Sequence, residues 1–393
     1  MSPRQLRRVL LVIIATLLGL GTVAVYSSSA IASEATYGDS LRFVATHLLA
    51  IGCGLLAALG CLAAPWEAIR TSGRWLLPLS IALLLLVCFI GQEVGGARRW
   101  FRLGRWSMQP SEMAKLSLVL YLSEWLSRRA GSLHEIWRGL LPPLLVTGLT
   151  AGLVLIQPDL GTAVALAAVA LLLLIVARAR RMHLAAIAGI ASAALVWLIT
   201  GHAYRMRRIL AFLNPWQDAQ GSGYQILQSY VALAHGGLFG VGIGGSLQRL
   251  FYLPSAHTDF IFAIIGEELG LPGTTAVITL FALFLLCGFR IALILHDRFS
   301  RYLVCGLVGL IGFEAMVNLG VVTGMLPTKG LPLPLISYGG SSMVTNLIAC
   351  ALIFKASREA ERPLRRIPDP AIGPRALPVG LHVTRAQPLA SRA

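Results

Sequence analysis

The sequence is poor in charge, and poorest in acid. Asp and Glu together number 17 in 393 residues, and all charged residues amount to 13% of the chain, where about 25% is usual for a soluble domain. So little charge cannot coat a water-soluble fold of this size. Paired with 56% hydrophobic residues, it also excludes intrinsic disorder, which needs few apolar residues and many charges. Cysteine is scarce as well. Cys53, Cys61, Cys88, Cys287, Cys305 and Cys350 stand singly in or beside apolar stretches, with no CxxC pair. That spacing excludes a disulfide scaffold or zinc site and leaves reduced packing residues. What remains is a polytopic membrane protein.

Long apolar runs are what the chain has in abundance. A spanning helix needs about 20 mostly apolar residues, and ten stretches qualify: 9–26, 43–63, 75–92, 109–126, 140–157, 160–177, 183–201, 260–290, 302–325 and 337–355. The expected fold is an all-α polytopic membrane protein of ten transmembrane helices, with a large extracytoplasmic loop, 202–258, between helices seven and eight. Residues 1–8 form a short N-terminus, 9–356 the membrane domain, and 357–393 a disordered basic tail rich in Pro and Arg. Gly270-Leu271-Pro272-Gly273 marks a break or kink in the long eighth stretch. No internal repeat marks an inverted-repeat transporter. Arg4, Arg7 and Arg8 before an apolar run, with Ala30-Ile31-Ala32 after it, have the outline of a signal peptide. The run is longer than a usual signal core and more spans follow, so it is read as the first span.

The net charge of +16 would point to nucleic acid in a soluble protein. In a membrane protein it is topological, because Lys and Arg gather on cytoplasmic segments, and no nucleic-acid partner is expected. With the N-terminus inside, most of the 33 basic residues fall on cytoplasmic segments, so both termini are expected there. The exceptions concentrate in two outer loops: Arg98, Arg99, Arg102 and Arg105 in one, Arg205, Arg207, Arg208 and Arg249 in the other. Positive charge on the outer side calls for an anionic partner. Either membrane-lipid phosphates take these arginines, or they form a site for a phosphate-bearing lipid.

Ionisable residues inside spans are costly and thus functional candidates. Glu112 and Lys115 lie three apart on one helix face, as a structural salt bridge, a substrate-facing pair, or both. Asp159, in Gln157-Pro158-Asp159-Leu160-Gly161-Thr162, either caps the sixth helix or belongs to a site. In the large loop, Tyr224–His235 reads as an amphipathic helix at the membrane interface. Gly240-Val241-Gly242-Ile243-Gly244-Gly245 matches GxGxxG without any βαβ context, so it reads as a glycine hinge and not a dinucleotide site. His257-Thr258-Asp259-Phe260 opens a long apolar helix. Asp259 is there either a helix cap or a carboxylate placed to act as a general base.

Gly96-Ala97-Arg98-Arg99-Trp100, Gln109-Pro110-Ser111-Glu112 with Lys115, and Gln157 through Thr162 resemble the SEDS (shape, elongation, division, sporulation) family. So do Gly223-Tyr224-Gln225 with Gln228-Ser229, Tyr252-Leu253-Pro254 with His257 through Ala263, and Glu267-Glu268-Leu269-Gly270. Lys329-Gly330 through Ser341 completes the set, and the matches run in family order from Tyr26-Ser27 to Ser342. Ile264 through Glu268 and Gly324 through Gly330 are more similar to the division (FtsW-like) branch than to the elongation (RodA-like) branch. Many members carry a basic residue where this chain has Ser107, and Arg105 is its nearest substitute.

The resemblance implies ten helices, a large outer loop, and polymerisation of peptidoglycan strands from lipid II. That reaction is an inverting glycosyl transfer with undecaprenyl diphosphate as leaving group. It implies Asp259 as the catalytic residue. Arg99, Trp100, Glu112, Lys115, Asp159, Gln225, His257, Lys329, Ser337 and Tyr338 are the implied substrate-binding residues, with no metal ligand. The resemblance assigns no definite cofactor, a divalent cation (Mg or Mn) being the one candidate. Implied partners are a class B penicillin-binding protein transpeptidase and other divisome proteins. The implied location is the bacterial inner membrane at the septum. A RodA-like elongation polymerase and a lipid II flippase are the alternatives; a scaffold would leave the outer arginines and Asp259 without a task.

Overall fold

The computed structural model describes residues 2–94, 96–103, 106–250 and 252–359. Arg105 and positions 360–393, most of the expected tail, lie outside the described residues. Helix α1 (Pro3–Tyr37) begins in a capping box, in which Ser2 and Gln5 exchange side-chain and backbone hydrogen bonds. It runs on past Tyr26 because Ser28 and Ser29 satisfy their hydroxyls on the carbonyls of Ala24 and Val25, at 2.7 and 2.6 Å. It ends at Gly38, whose φ of 67° suits a left-handed cap.

Helices α2 (Arg42–Ala63) and α3 (Trp66–Ile90) follow. Then comes a departure from an all-helical fold, a small antiparallel sheet of β1 (Gln92–Val94), β2 (Ala97–Leu103) and β3 (Trp106–Met108). Gln92 pairs with Trp100 and Arg102 with Ser107. The all-α expectation did not include this sheet, although Trp100, Phe101 and Trp106 are aromatic residues of the kind strands prefer. Gly96, at φ 76°, makes the turn.

Helices α4 (Pro110–Arg128), α5 (Leu141–Ile156), α6 (Leu160–Val176) and α7 (Arg181–Thr200) come next, then α8 (Ala203–Leu213) and α9 (Tyr224–Gly236). The chain closes with α10 (Ile261–Ile294), α11 (Arg298–Val322) and α12 (Gly340–Glu359). A helix thus stands at each of the ten expected stretches. Eight are long and apolar enough to cross a membrane. Of the others, α6 is apolar but has 17 residues, and α4 carries Glu112, Lys115 and Glu124 among its buried residues. The chain is therefore mostly helical and multi-pass in character.

The expected break in α10 is present at Gly270, which has φ 63° and ψ −151°. A side chain there would collide with the backbone of the glycine-rich segment, since its Cβ would sit 2.4 Å from the amide nitrogen of Gly240. The Glu267 and Glu268 carbonyls accept instead from Val241 and Gly242 N–H, each at 3.0 Å, so the broken ladder is repaired by its neighbour. Helix α9 is amphipathic, as expected. Its buried face, which includes Ile226, Leu227 and Ala232, turns to the protein and not to lipid. Gly236 brings it against the Gly266 carbonyl, and Ser229 donates to Val322 O at 3.1 Å.

Connections gather on two opposite faces. On one, Phe43 packs on His257 at 4.8 Å, Arg99 donates to the Gln157 and Pro158 carbonyls, Ser341 to Ser107 O, and Arg208 to Thr328 O. On the other, Lys355 near the end of α12 donates to Cys61 O and Leu62 O at the end of α2, and Arg7 donates to Ser357 O. The six cysteines are free, with Cys287, Cys305 and Cys350 buried.

Candidate active site

Asp259 is not a helix cap. The residue preceding α10 is Phe260, with no side-chain cap bond, and among the described residues the Asp259 carboxylate accepts no hydrogen bond. Three successive carbonyls hold the segment in place. His257 O accepts from Tyr338 N–H at 3.0 Å, Thr258 O from the Ser337 hydroxyl at 2.6 Å, and Asp259 O from the Asn318 amide at 2.8 Å. Rings of Phe43, His257 and Tyr338 pack together beside it, at 4.8 to 5.6 Å. Ser337 and Tyr338 therefore position the carboxylate through the backbone.

The electrostatics suit a base. Burial pushes Asp259 up to about 6, against the pull of Arg208 and with a further push from Asp159. A carboxylate at a helix start ordinarily tends low; here desolvation prevails. Lys329 is pushed down to about 8, first by burial, then by Arg208 and Arg205, with Asp159 opposing. His257 is lowered by burial. Gly330 leaves room for the carboxylate, because a Cβ there would lie 3.2 Å from Asp259 Oδ2.

Asp159 does cap α6, accepting from Thr162 N–H at 3.0 Å and from the Thr162 hydroxyl at 2.8 Å. It also meets Gln109 Nε2 at 3.4 Å, so the cap is shared with the site. Arg99 grips the preceding turn, its Nε 2.7 Å from Gln157 O and its Nη2 3.1 Å from Pro158 O. Among the described residues, Trp100 on β2 and Gln225 on α9 have no side-chain hydrogen bond to this cluster.

The Glu112–Lys115 pair is present at 2.9 Å, and it is part of a larger cluster. Lys115 also pairs with Glu314 of α11, and Thr345 donates to Glu112 at 3.1 Å. Glu314 and Asn318 are absent from the sequence-based site, whereas Arg208 belongs to the outer-loop arginines expected there. Glu314 and Asn318 are polar residues in an apolar span, the same signal that singled out Glu112. Beside Glu112 lies a cavity of about 890 Å³ between α2, α3, α4 and α12, lined mostly by apolar side chains, with Gln109, Ser341 and Thr345 also on its wall.

Among the described residues, no three His, Cys, Asp or Glu side chains gather to hold a metal ion. The cluster has Asp159, already engaged by Thr162 and Gln109, and Asp259, both among Arg205, Arg208 and Lys329. That donor set does not fit a resident divalent cation, which needs several free oxygens.

Fold and site together define a polytopic membrane protein with a desolvated acid set among cations beside an apolar cavity. The family profile of FtsW, RodA and SpoVE, described as cell cycle proteins, matches residues 8–362, and the chain belongs to this family. A Trichlorobacter lovleyi protein named probable peptidoglycan glycosyltransferase FtsW is 40% identical over 89% of this chain and 92% of its own length. The stage V sporulation protein E of Bacillus subtilis is 38% identical over 89% of this chain and 96% of that protein. Among solved structures, a chain described under structural coordination of polymerization and crosslinking by a peptidoglycan synthase complex superposes with a TM-score of 0.75. It is 31% identical, over 90% of this chain and 98% of that one. The rod shape determining protein RodA of Thermus thermophilus superposes at 0.67, with 28% identity over 90% and 97%.

Proposed function

We propose that the chain is a peptidoglycan glycosyltransferase of the FtsW type, which polymerises lipid II into glycan strands during division. The observation that carries this is Asp259: an uncapped, desolvated carboxylate pushed up to about 6 beside Arg208, with Lys329 in the same cluster through Arg208 and Asp159. A base with a pKa near the working pH is the one general catalysis favours. The Asp259 carboxylate takes the proton of the acceptor 4-hydroxyl as that oxygen attacks the anomeric carbon of the donor. The bond from that carbon to the diphosphate oxygen breaks on the opposite face, its electron pair leaves with undecaprenyl diphosphate, and the configuration inverts. Arg205, Arg208 and Lys329 neutralise the departing diphosphate. The apolar cavity beside Glu112 supports a lipid-linked substrate.

Ten crossings are part of this reading, with α4 and α6 included. Grouping of the connections after α1, α3, α5, α7 and α11 on one face supports it, as odd-numbered crossings require. With both termini cytoplasmic, that face and the 202–258 loop are extracytoplasmic, in the inner membrane at the septum. A class B penicillin-binding protein is the proposed partner, since the superposable chain comes from a complex that couples polymerization to crosslinking; other divisome proteins complete the assembly. The test is purified protein with that partner and lipid II, followed by detection of glycan strands. Strands lost on Asp259→Ala are expected. Transbilayer movement of lipid II without strands would favour the flippase.

A further inference from the structure

A second cleft, lined by charged and aromatic residues, lies at the far end of α4 from Gln109. It has a volume of about 400 Å³ and is lined by Arg74, Tyr121, Glu124, Trp125, Arg128 and Arg129. Three guanidinium groups thus surround one carboxylate, leaving two positive charges in excess. The buried Glu124 sets their geometry. Arg74 binds it through Nε at 3.1 Å and Nη2 at 2.6 Å, and Arg128 through Nη2 at 2.9 Å. Among the described residues, Nη1 of Arg74 and both Nε and Nη1 of Arg128 have no partner, and both arginines are about half exposed. Arg129 stacks on Trp125, 4.0 Å from the ring centroid, and donates to Arg138 O.

The flanking residues place the cleft at headgroup depth. Trp75, next to Arg74 where the apolar stretch of α3 begins, and Trp137, next to Arg138 just before α5, are 80% and 79% exposed, as in an interfacial aromatic belt. Arginine forks aimed outward at that level match phosphate oxygens. We propose that this cleft binds the phosphate of an anionic phospholipid, in the leaflet opposite the Asp259 face. Arg74 and Arg128 are the phosphate ligands, the Trp125 and Tyr121 rings form the wall beside the glycerol, and Glu124 holds the arginines in place. The reading does not depend on the glycosyltransferase assignment.

The test uses the full chain in neutral detergent, titrated with phosphatidylglycerol, with phosphatidylcholine, or with inorganic phosphate. Bound lipid is counted by native mass spectrometry and stability followed by thermal unfolding. Phosphatidylglycerol is expected to bind and raise the unfolding temperature, while phosphatidylcholine and inorganic phosphate are not. Each arginine near an anionic surface contributes about fivefold in affinity, so Arg74→Gln with Arg128→Gln should weaken phosphatidylglycerol binding roughly 25-fold. Arg298→Gln, an exposed arginine at the start of α11, should leave it unchanged. Should the double variant unfold, Arg128→Gln alone is expected to show the fivefold loss. Equal binding by wild type and variant overturns the proposal, as does equal response to free phosphate, or displacement of the lipid by a polyglutamate peptide.

Discussion

Lys115 of α4 and Glu314 of α11 are joined as a buried ion pair, at 4% and 3% side-chain exposure. The ammonium that seemed to answer Glu112 therefore answers two carboxylates. Breaking a buried pair by removing one partner costs about 3–5 kcal/mol. A Glu112→Lys, Lys115→Glu double variant keeps the first pair but sets the new carboxylate against Glu314. We expect it to recover only part of the stability lost in Lys115→Glu alone, and further replacement of Glu314 by Gln to restore more. Thermal unfolding of the three proteins checks this, and full recovery in the double variant alone would remove Glu314 from the triad.

Asp259→Ala separates chemistry from stability. Among the described residues its carboxylate has no hydrogen bond to lose, and the three carbonyl contacts are made by backbone. Strand synthesis should fall by about 100- to 10,000-fold, the usual worth of a general base, with the unfolding temperature unchanged. Normal synthesis by the variant would reduce Asp259 to a turn residue.

The pH profile of kcat/KM should be bell-shaped. Activity rises as Asp259 loses its proton near about 6 and falls as Lys329 loses its own near about 8. Arg208 lowers both groups, so Arg208→Gln should move both limbs to higher pH. A rate flat from pH 5 to 9 would argue against both assignments.

Arg99→Ala should raise the lipid II concentration needed for half-maximal synthesis. The side chain grips the turn before Asp159, and its loss frees the Asp159 cap. Arg178→Ala, exposed between α6 and α7, should not. Equal effects of the two substitutions in a lipid II titration would point to general membrane anchoring.

Gly240→Ala and Gly242→Ala should differ although both positions have positive φ, 76° and 89°. At Gly242 an added Cβ meets open space, so only backbone strain of about 1–3 kcal/mol applies. At Gly240 it would lie 2.2 Å from the Glu268 carbonyl. We expect the larger loss of thermal stability there, together with release of the segment docked on α10, measured as faster amide exchange over residues 240–248.

Much of the site was legible along the chain. Asp259 and Asp159 stood out as acids beside apolar runs, whereas Lys329 and His257 were implied as site residues by the family resemblance. The glycine segment was legible as glycine, but its partners were not. Glu267 receives Ser246, Leu247 N–H and His235, and Glu268 receives Ser27 and Gly244 N–H. What reads as a hinge is a run of left-handed turns laid on two buried acids. Glu314 was missed because its ammonium partner stands 199 residues earlier, and spacing along one helix reports only neighbours on that helix.

The sequence by itself determined the solvent and the elements. Low charge and long apolar runs commit the chain to lipid, and in lipid the backbone must satisfy itself within helices; the kink followed from Gly270 and Pro272 alone. Only the tertiary structure decided which charges share a site and what they are worth. Asp259 is drawn toward neutrality because burial outweighs Arg208, and Lys115 is divided between two helices. Both outcomes depend on distance and desolvation between segments far apart in the chain, and neither quantity is written in the order of residues.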